Sequence, residues 1–189
     1  LILIPSDPLG TDELIVPYGL DITGQWISLG YTDEQGNVRI EQLPIETKNF
    51  PLIDYGCGKG RALFVAEQCG FTNLIGVDIA KELIDDANAN KAVYVRKNSQ
   101  SNINFLFEDA TKYLIPYNTQ VLYFFNPFGE EVLQKVIDNI KESVKQHPRK
   151  VYCIYLNPKY KAVFEENGFD VFYTEKNKRY LEGIIYTIQ

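Results

Sequence analysis

Residues 52 to 60 read Leu-Ile-Asp-Tyr-Gly-Cys-Gly-Lys-Gly, a short apolar strand running directly into glycines at positions 56, 58 and 60. Alternate glycines let the backbone enter the left-handed region and come close to a ligand. The helix that should follow from about Arg61 aims its free N–H groups and the positive end of its dipole into the same space. Together these features mark the carboxyl end of this strand as a nucleotide-type cofactor site. A glycine-rich strand-to-helix turn with no ligand is the alternative.

The spacing separates two cofactor classes. A dinucleotide site of the G-x-G-x-x-G type wants glycine or alanine where this chain has Arg61, and here the third glycine comes one residue early. Asp54 stands two places before the first glycine, where its carboxylate would repel a pyrophosphate and attract a cationic ligand group. An acidic residue followed by G-x-G-x-G at the end of a first strand resembles motif I of the class I, seven-strand S-adenosylmethionine-dependent methyltransferases. The resemblance covers about residues 50 to 189. It implies S-adenosyl-L-methionine as cofactor, with Asp54, Gly56, Cys57, Gly58 and Gly60 lining its amino-acid end.

The order of elements agrees with that resemblance. Ala62 to Gln68 is helix-compatible, and Leu74 to Val77 is a short apolar strand ending at Asp78, which makes a βαβ unit. Lys81 to about Lys97 has helical composition, Ile103 to Phe107 reads as a third strand, and Val121 to Phe125 as a fourth that is apolar on both faces, as in the middle of a parallel sheet. Glu130 to Lys145 is amphipathic, with Val132, Leu133, Val136, Ile137, Ile140 and Val144 on its apolar side. Val151 to Leu156 is a fifth strand, and Lys159 to Asn167 a helix closed by Gly168. Phe169 to Tyr173 and Leu181 to Ile188 are joined by a polar link too short for a crossover helix, so they should pair antiparallel. The expected fold is α/β: one doubly wound sheet of about seven strands, mostly parallel, with a C-terminal antiparallel hairpin. Residues 1 to 49 are rich in turn signals and read as an irregular N-terminal arm or cap that holds Trp26; residues 50 to 189 form the cofactor-binding domain.

Beyond the glycines, three positions carry candidate chemistry. Asp78, at the end of the second strand, can accept hydrogen bonds from two vicinal ribose hydroxyls, or cap the helix that starts near Lys81. The family resemblance implies the ribose role, with Ile79 next to it in the cofactor site. Asp109 and Ala110 follow the third strand, where the family carries an acidic and small pair that reads the adenine edge; one side-chain acceptor beside one backbone donor is the minimal set for that task. Asp109 could alternatively cap a helix over Thr111 to Leu114. Asn126-Pro127-Phe128 follows the fourth strand, at the edge where open α/β sheets bind ligands. It is similar to the Asn-Pro-Pro-aromatic loop of amino-group methyltransferases, which implies that it seats the methyl acceptor. One proline of that pattern is missing, and Asn126 with Pro127 could instead begin the next helix. Tyr155, Asn157 and Pro158 are candidates to line the same mouth, with Tyr18 or Tyr31 as lids.

Composition narrows the partners. With 189 residues, 45% of them hydrophobic, the chain can bury one good core. A net charge of −6 argues against a broad basic face for duplex nucleic acid. The basic runs Lys145 to Lys150 and Lys176 to Arg179 read as solvated helix or hairpin ends, and the lone His147, before Pro148, as a helix terminus. Apolar runs such as Val121 to Phe125 fall far short of the ~20 residues that span a bilayer, and no basic, apolar leader opens the chain, so no membrane partner and a cytoplasmic location are expected. Cys57, Cys69 and Cys153 form no C-x-x-C pair and read as reduced thiols, with no metal site. The chain begins at Leu1 and has no methionine, the pattern of a sequence trimmed at its amino end or missing its selenomethionine positions. The expected activity is methyl transfer to a small-molecule or protein acceptor, with a nitrogen atom preferred over oxygen or carbon. A cofactor-binding module without activity is the alternative.

Overall fold

A computed structural model describes residues 43–98, 101–176 and 182–189. Trp26, Tyr18 and Tyr31, and with them the proposed arm up to residue 42, lie outside the described residues. The last part of that segment belongs to the body of the domain: a 3-10 helix spans Ile45–Asn49, and Leu43 and Thr47 are buried.

Seven strands form one sheet in the order β3-β2-β1-β4-β5-β7-β6. They are β1 (Leu52–Tyr55), β2 (Leu74–Asp78), β3 (Ile103–Phe107), β4 (Val121–Phe125), β5 (Val151–Leu156), β6 (Asp170–Lys176) and β7 (Glu182–Ile188). The first five run parallel. β1 and β4 sit at the centre and are buried on both faces for most of their length, which is why they read as continuous apolar runs. The tail pairs antiparallel as expected, but it is the second strand of the hairpin, β7, that docks on β5, leaving β6 at the edge.

Helices cover both faces. Leu63 and Phe64 of α1 (Arg61–Gln68) and Ile84, Ala87 and Tyr94 of α2 (Lys81–Asn98) pack on the face formed by Leu52, Leu74, Ile103 and Phe105. Leu133, Val136, Ile137, Ile140 and Val144 of α3 (Glu130–Gln146) and Val163 and Phe164 of α4 (Lys161–Glu166) pack on the face formed by Ile53, Tyr55, Leu122, Phe124 and Tyr155. Val132 was read with the apolar side of α3 but is exposed, because it lies at the margin of the stripe. α4 is shorter than the expected Lys159 to Asn167. Asn157 takes a left-handed conformation (φ +50) before Pro158, and the chain turns once, Lys159 N–H to Asn157 O, before the helix can start.

The basic loop at the amino edge of the sheet is structural. His147 caps the end of α3, and the Arg149 guanidinium donates to the carbonyls of Thr119, Ser143 and His147. Among the described residues no helix is long and apolar enough to cross a membrane, and no group of three or more His, Cys, Asp or Glu is arranged to hold a metal ion. Among the described residues no disulfide joins Cys57, Cys69 or Cys153.

Candidate functional site

Because β1 leads to β2 and β3 on one side while β4 opens the other, the carboxyl ends of β1 and β4 flank the switch point of the sheet, where open α/β folds hold ligands. The glycine loop lies there. It hangs from β2 by Gly56 N–H and Cys57 N–H, which both donate to Val77 O at 2.8 and 3.2 Å. Its glycines do different work. A Cβ on Gly56 would stand 2.4 Å from Pro127 Cβ, and one on Gly60 would stand 2.3 Å from Phe105 Cζ, so these two allow the loop to pack against the protein itself. Gly58 (φ +53) has nothing within 4 Å of its missing Cβ and faces open space. Lys59, between the last two, pairs with Asp86 of α2 at 3.0 Å, and its carbonyl accepts from Asn90 Nδ2, which fixes the far side of the loop.

Asp78 ties the loop to the next strand end. Its Oδ2 accepts from Gly58 N–H and its Oδ1 from Ala80 N–H, both at 2.9 Å. The capping alternative is thus partly realised, since Ala80 O takes the first helical bonds of α2 from Leu83 and Ile84. Each oxygen keeps a second lone pair for a ligand hydroxyl. Ile79, the next residue, is 69% exposed, an apolar side chain set beside the carboxylate with no cover.

Asp54 is 3% exposed and shares its sheet face with Asp78. Burial first, and the Asp78 charge second, push its pKa well above the usual 3.8. The same surroundings, burial and then Asp54 and Asp78, push the Cys57 thiol up and keep it protonated. A buried acid with a second acid nearby and no counter-charge is a site that a cation would complete.

Glu108 N–H donates to Asp78 O at 3.0 Å, so the end of β3 sits against the end of β2. Asp109 Oδ1 accepts from Thr111 N–H at 2.9 Å and from Thr111 Oγ1 at 2.7 Å, bonds that hold its pKa below the usual range. Lys112 Nζ is 3.6 Å from its other oxygen, Oδ2. The residues after it form a single turn, not the helix considered over Thr111 to Leu114, and Ala110 is buried beneath them.

The structure bears on three points at the ends of β4 and β5. First, Asn126 does not cap α3. That helix starts at Glu130 with Gly129 as its N-cap, so Asn126 (φ +44) and Pro127 belong to a separate turn. Second, Phe128 packs edge-on against Tyr55, with ring centroids 6.4 Å apart, and stays part-exposed. Third, Tyr155 and Pro158 do not line the mouth. Strand alternation turns Tyr155 onto the face under α3 and α4, where it is 1% exposed, and Pro158 is buried as well, leaving only Asn157 at the surface. Tyr155 reaches the site through its hydroxyl alone, which donates to Asn126 Oδ1 at 3.2 Å.

One residue escaped the sequence reading. Phe125, the last of β4, is 48% exposed and by alternation shares the face of Tyr123 and Asp54. Its signal was available: an aromatic that closes a buried strand at the ligand edge has no core left to enter.

Comparison with known proteins accounts for this assembly. A family model described as a methyltransferase domain matches residues 46–168, well over half of the chain. The chain belongs to this family. A search of curated proteins finds none that matches. Among solved structures, an S-adenosylmethionine-dependent methyltransferase from Aquifex aeolicus superposes with a TM-score of 0.59 at 16% identity, over 74% of this chain and 82% of that one. A Pyrococcus horikoshii protein superposes at 0.57 and 20% identity over 92% of this chain and 96% of that one. Magnesium protoporphyrin IX methyltransferase from Synechocystis, solved with bound S-adenosylmethionine, gives 0.55 at 15% identity over 76% and 72% of the two chains. At these identities the solved structures establish a shared fold: the seven-strand sheet with its antiparallel end is that of the class I methyltransferases.

Proposed function

We propose that this methyltransferase domain binds S-adenosyl-L-methionine across the carboxyl ends of β1, β2 and β3 and transfers its methyl group to an acceptor seated at Asn126-Pro127-Phe128. The observation that carries the reading is Asp54, a carboxyl only 3% exposed that lies in the field of a second acid, Asp78, beside a loop whose middle glycine opens on free space. A ligand with a cationic amino-acid end supplies the missing charge, where a dinucleotide would add a repelled phosphate. Asp78 accepts from the ribose hydroxyls, Ile79 covers a face of the adenine ring, and Asp109 Oδ2 with the backbone at Ala110 reads its edge. Gly56, Cys57, Gly58 and Gly60 form the floor.

The bound cofactor supplies a methyl group already made electrophilic by a sulfonium. The protein's task is therefore to hold the acceptor atom in line, a contribution of up to roughly 7 to 11 kcal/mol when geometry is well fixed. Asn126 is the acceptor-orienting group, because the packing of Gly56 on Pro127 places its loop against the cofactor loop. The loop's likeness to amino-group enzymes supports a nitrogen acceptor, whose N–H an amide oxygen would take. Against that likeness, the Tyr155 hydroxyl already occupies the amide oxygen, which supports an oxygen acceptor over a nitrogen one.

Calorimetry and thermal melting with S-adenosylmethionine, S-adenosylhomocysteine and NAD test the binding. At 100 times the dissociation constant a ligand stabilises by about 2.7 kcal/mol. The first two should shift the melt and NAD should not; equal shifts with NAD would remove the assignment. Binding without transfer of label to any fraction of a cell extract would instead leave a cofactor-binding module.

A further inference from the structure

Asn126 has two ends, a carbonyl oxygen that accepts and an amide group that donates, and which one meets the acceptor decides what acceptor fits. The bonds around Tyr155 decide it. Tyr160 N–H, which can only donate, gives its proton to the Tyr155 hydroxyl oxygen at 3.3 Å. The hydroxyl proton must then go elsewhere, and Asn126 Oδ1 lies 3.2 Å away. The opposite amide orientation would set two donors on one hydroxyl oxygen and leave a buried O–H proton unbonded, since Tyr155 is 1% exposed. Asn126 itself is in a left-handed conformation (φ +44) and is part-exposed.

We infer that Tyr155 is a positioning residue that turns the Asn126 oxygen inward and presents the amide N–H groups to the methyl acceptor, so that the acceptor atom is an oxygen of a hydroxyl or carboxylate group. The inference rests on the proposed methyl transfer at this loop. The bond that forms joins the cofactor methyl carbon to the acceptor oxygen, and the bond that breaks is methyl carbon to sulfur, whose electron pair stays on the sulfur. A hydroxyl acceptor loses its proton to solvent; a carboxylate has none to lose. An amide N–H donates to a lone pair of the oxygen that does not attack along the methyl axis. An amine nucleophile would have its own N–H groups facing these donors, the unpaired arrangement that sites reject most strongly.

The test uses the full chain, S-adenosylmethionine labelled in its methyl group, and the small-molecule and protein fractions of a cell extract, with the labelled product identified by fragmentation mass spectrometry. The expected product carries the methyl on oxygen. Tyr155→Phe should lower its yield roughly tenfold and admit nitrogen-methylated side products, because the amide can then turn over. Asn126→Asp keeps an oxygen for Tyr155 and loses the N–H groups, so it should abolish the oxygen product. Calorimetric affinity for S-adenosylhomocysteine should be the same in all three proteins. A wild-type product methylated on nitrogen, or unchanged product from Asn126→Asp, overturns the inference and leaves methyl transfer standing. No labelled product at all from a protein that binds S-adenosylhomocysteine overturns the methyl-transfer reading itself. If Tyr155→Phe does not fold, the position of the label and the Asn126→Asp protein still decide the matter.

Discussion

Removing the charge at position 54 should separate stability from cofactor binding. The Asp54 carboxyl is 3% exposed, and its pKa is raised well above 3.8 by burial and then by Asp78. A raised pKa means that the folded protein holds this proton over a range in which the unfolded chain has lost it. Stability from this group is complete below pH 3.8 and declines as pH rises toward the folded value, by as much as about 1.4 kcal/mol per pH unit for one proton. A cationic amino group docked beside Asp54 favours the ionised form and reverses the sign. Affinity for S-adenosylmethionine should climb with pH over the same window, up to about tenfold per unit, until an α-amino group itself loses charge near about 7.7. Asp54→Asn should flatten both profiles: the ligand-free protein becomes less sensitive to alkali, and its affinity becomes lower and independent of pH. Calorimetry in two buffers of different ionisation enthalpy reads the protons released on binding. Wild type should release a fraction of a proton that the variant does not. Identical proton counts and identical pH slopes in the two proteins would show that no cation sits beside Asp54, and the orientation of the cofactor proposed above would be wrong.

Other substitutions test neighbouring parts of the site. Gly60→Ala sets a methyl 2.3 Å from Phe105 Cζ at φ +84 and should cost about 1–3 kcal/mol in chemical denaturation through overpacking, added to about 1–2 kcal/mol of left-handed strain. Gly58→Ala meets no atom and should cost only the left-handed strain of about 1–2 kcal/mol, yet weaken S-adenosylhomocysteine binding more than Gly60→Ala does when both are measured calorimetrically. Asp78→Ala leaves Gly58 N–H and Ala80 N–H without their acceptor and removes the ribose contact, so affinity should fall at least tenfold in a folded protein; unchanged affinity would reduce Asp78 to a loop tie. Asn126→Ala should keep cofactor affinity and lower turnover roughly 100-fold, and normal turnover per folded molecule would take Asn126 out of the site.

The parts of this protein legible in its sequence are those set by local rules. Glycines at 56, 58 and 60 permit left-handed backbone whatever surrounds them, and an acid before them disfavours pyrophosphate without reference to any distant residue. Strands buried on both faces read as unbroken apolar runs, and α3 shows its stripe. Tertiary structure alone decided what depends on register between strands. The docking of β7 on β5, with β6 left at the edge, follows from burial: β7 supplies Ile184, Ile185 and Tyr186 to the core, while Val171 and Phe172 of β6 stay exposed. Asp78 reaches Gly58 only because β1 and β2 lie side by side, and that contact joins the capping and ligand roles that spacing had set against each other. Tyr155 could not be told from a mouth-lining residue until alternation along β5 sent its ring under the sheet and its hydroxyl to Asn126. Side-chain direction at a strand end shifts to the opposite face with a single step of the chain, so burial, and the hydrogen bonds it forces, had to come from the packed fold.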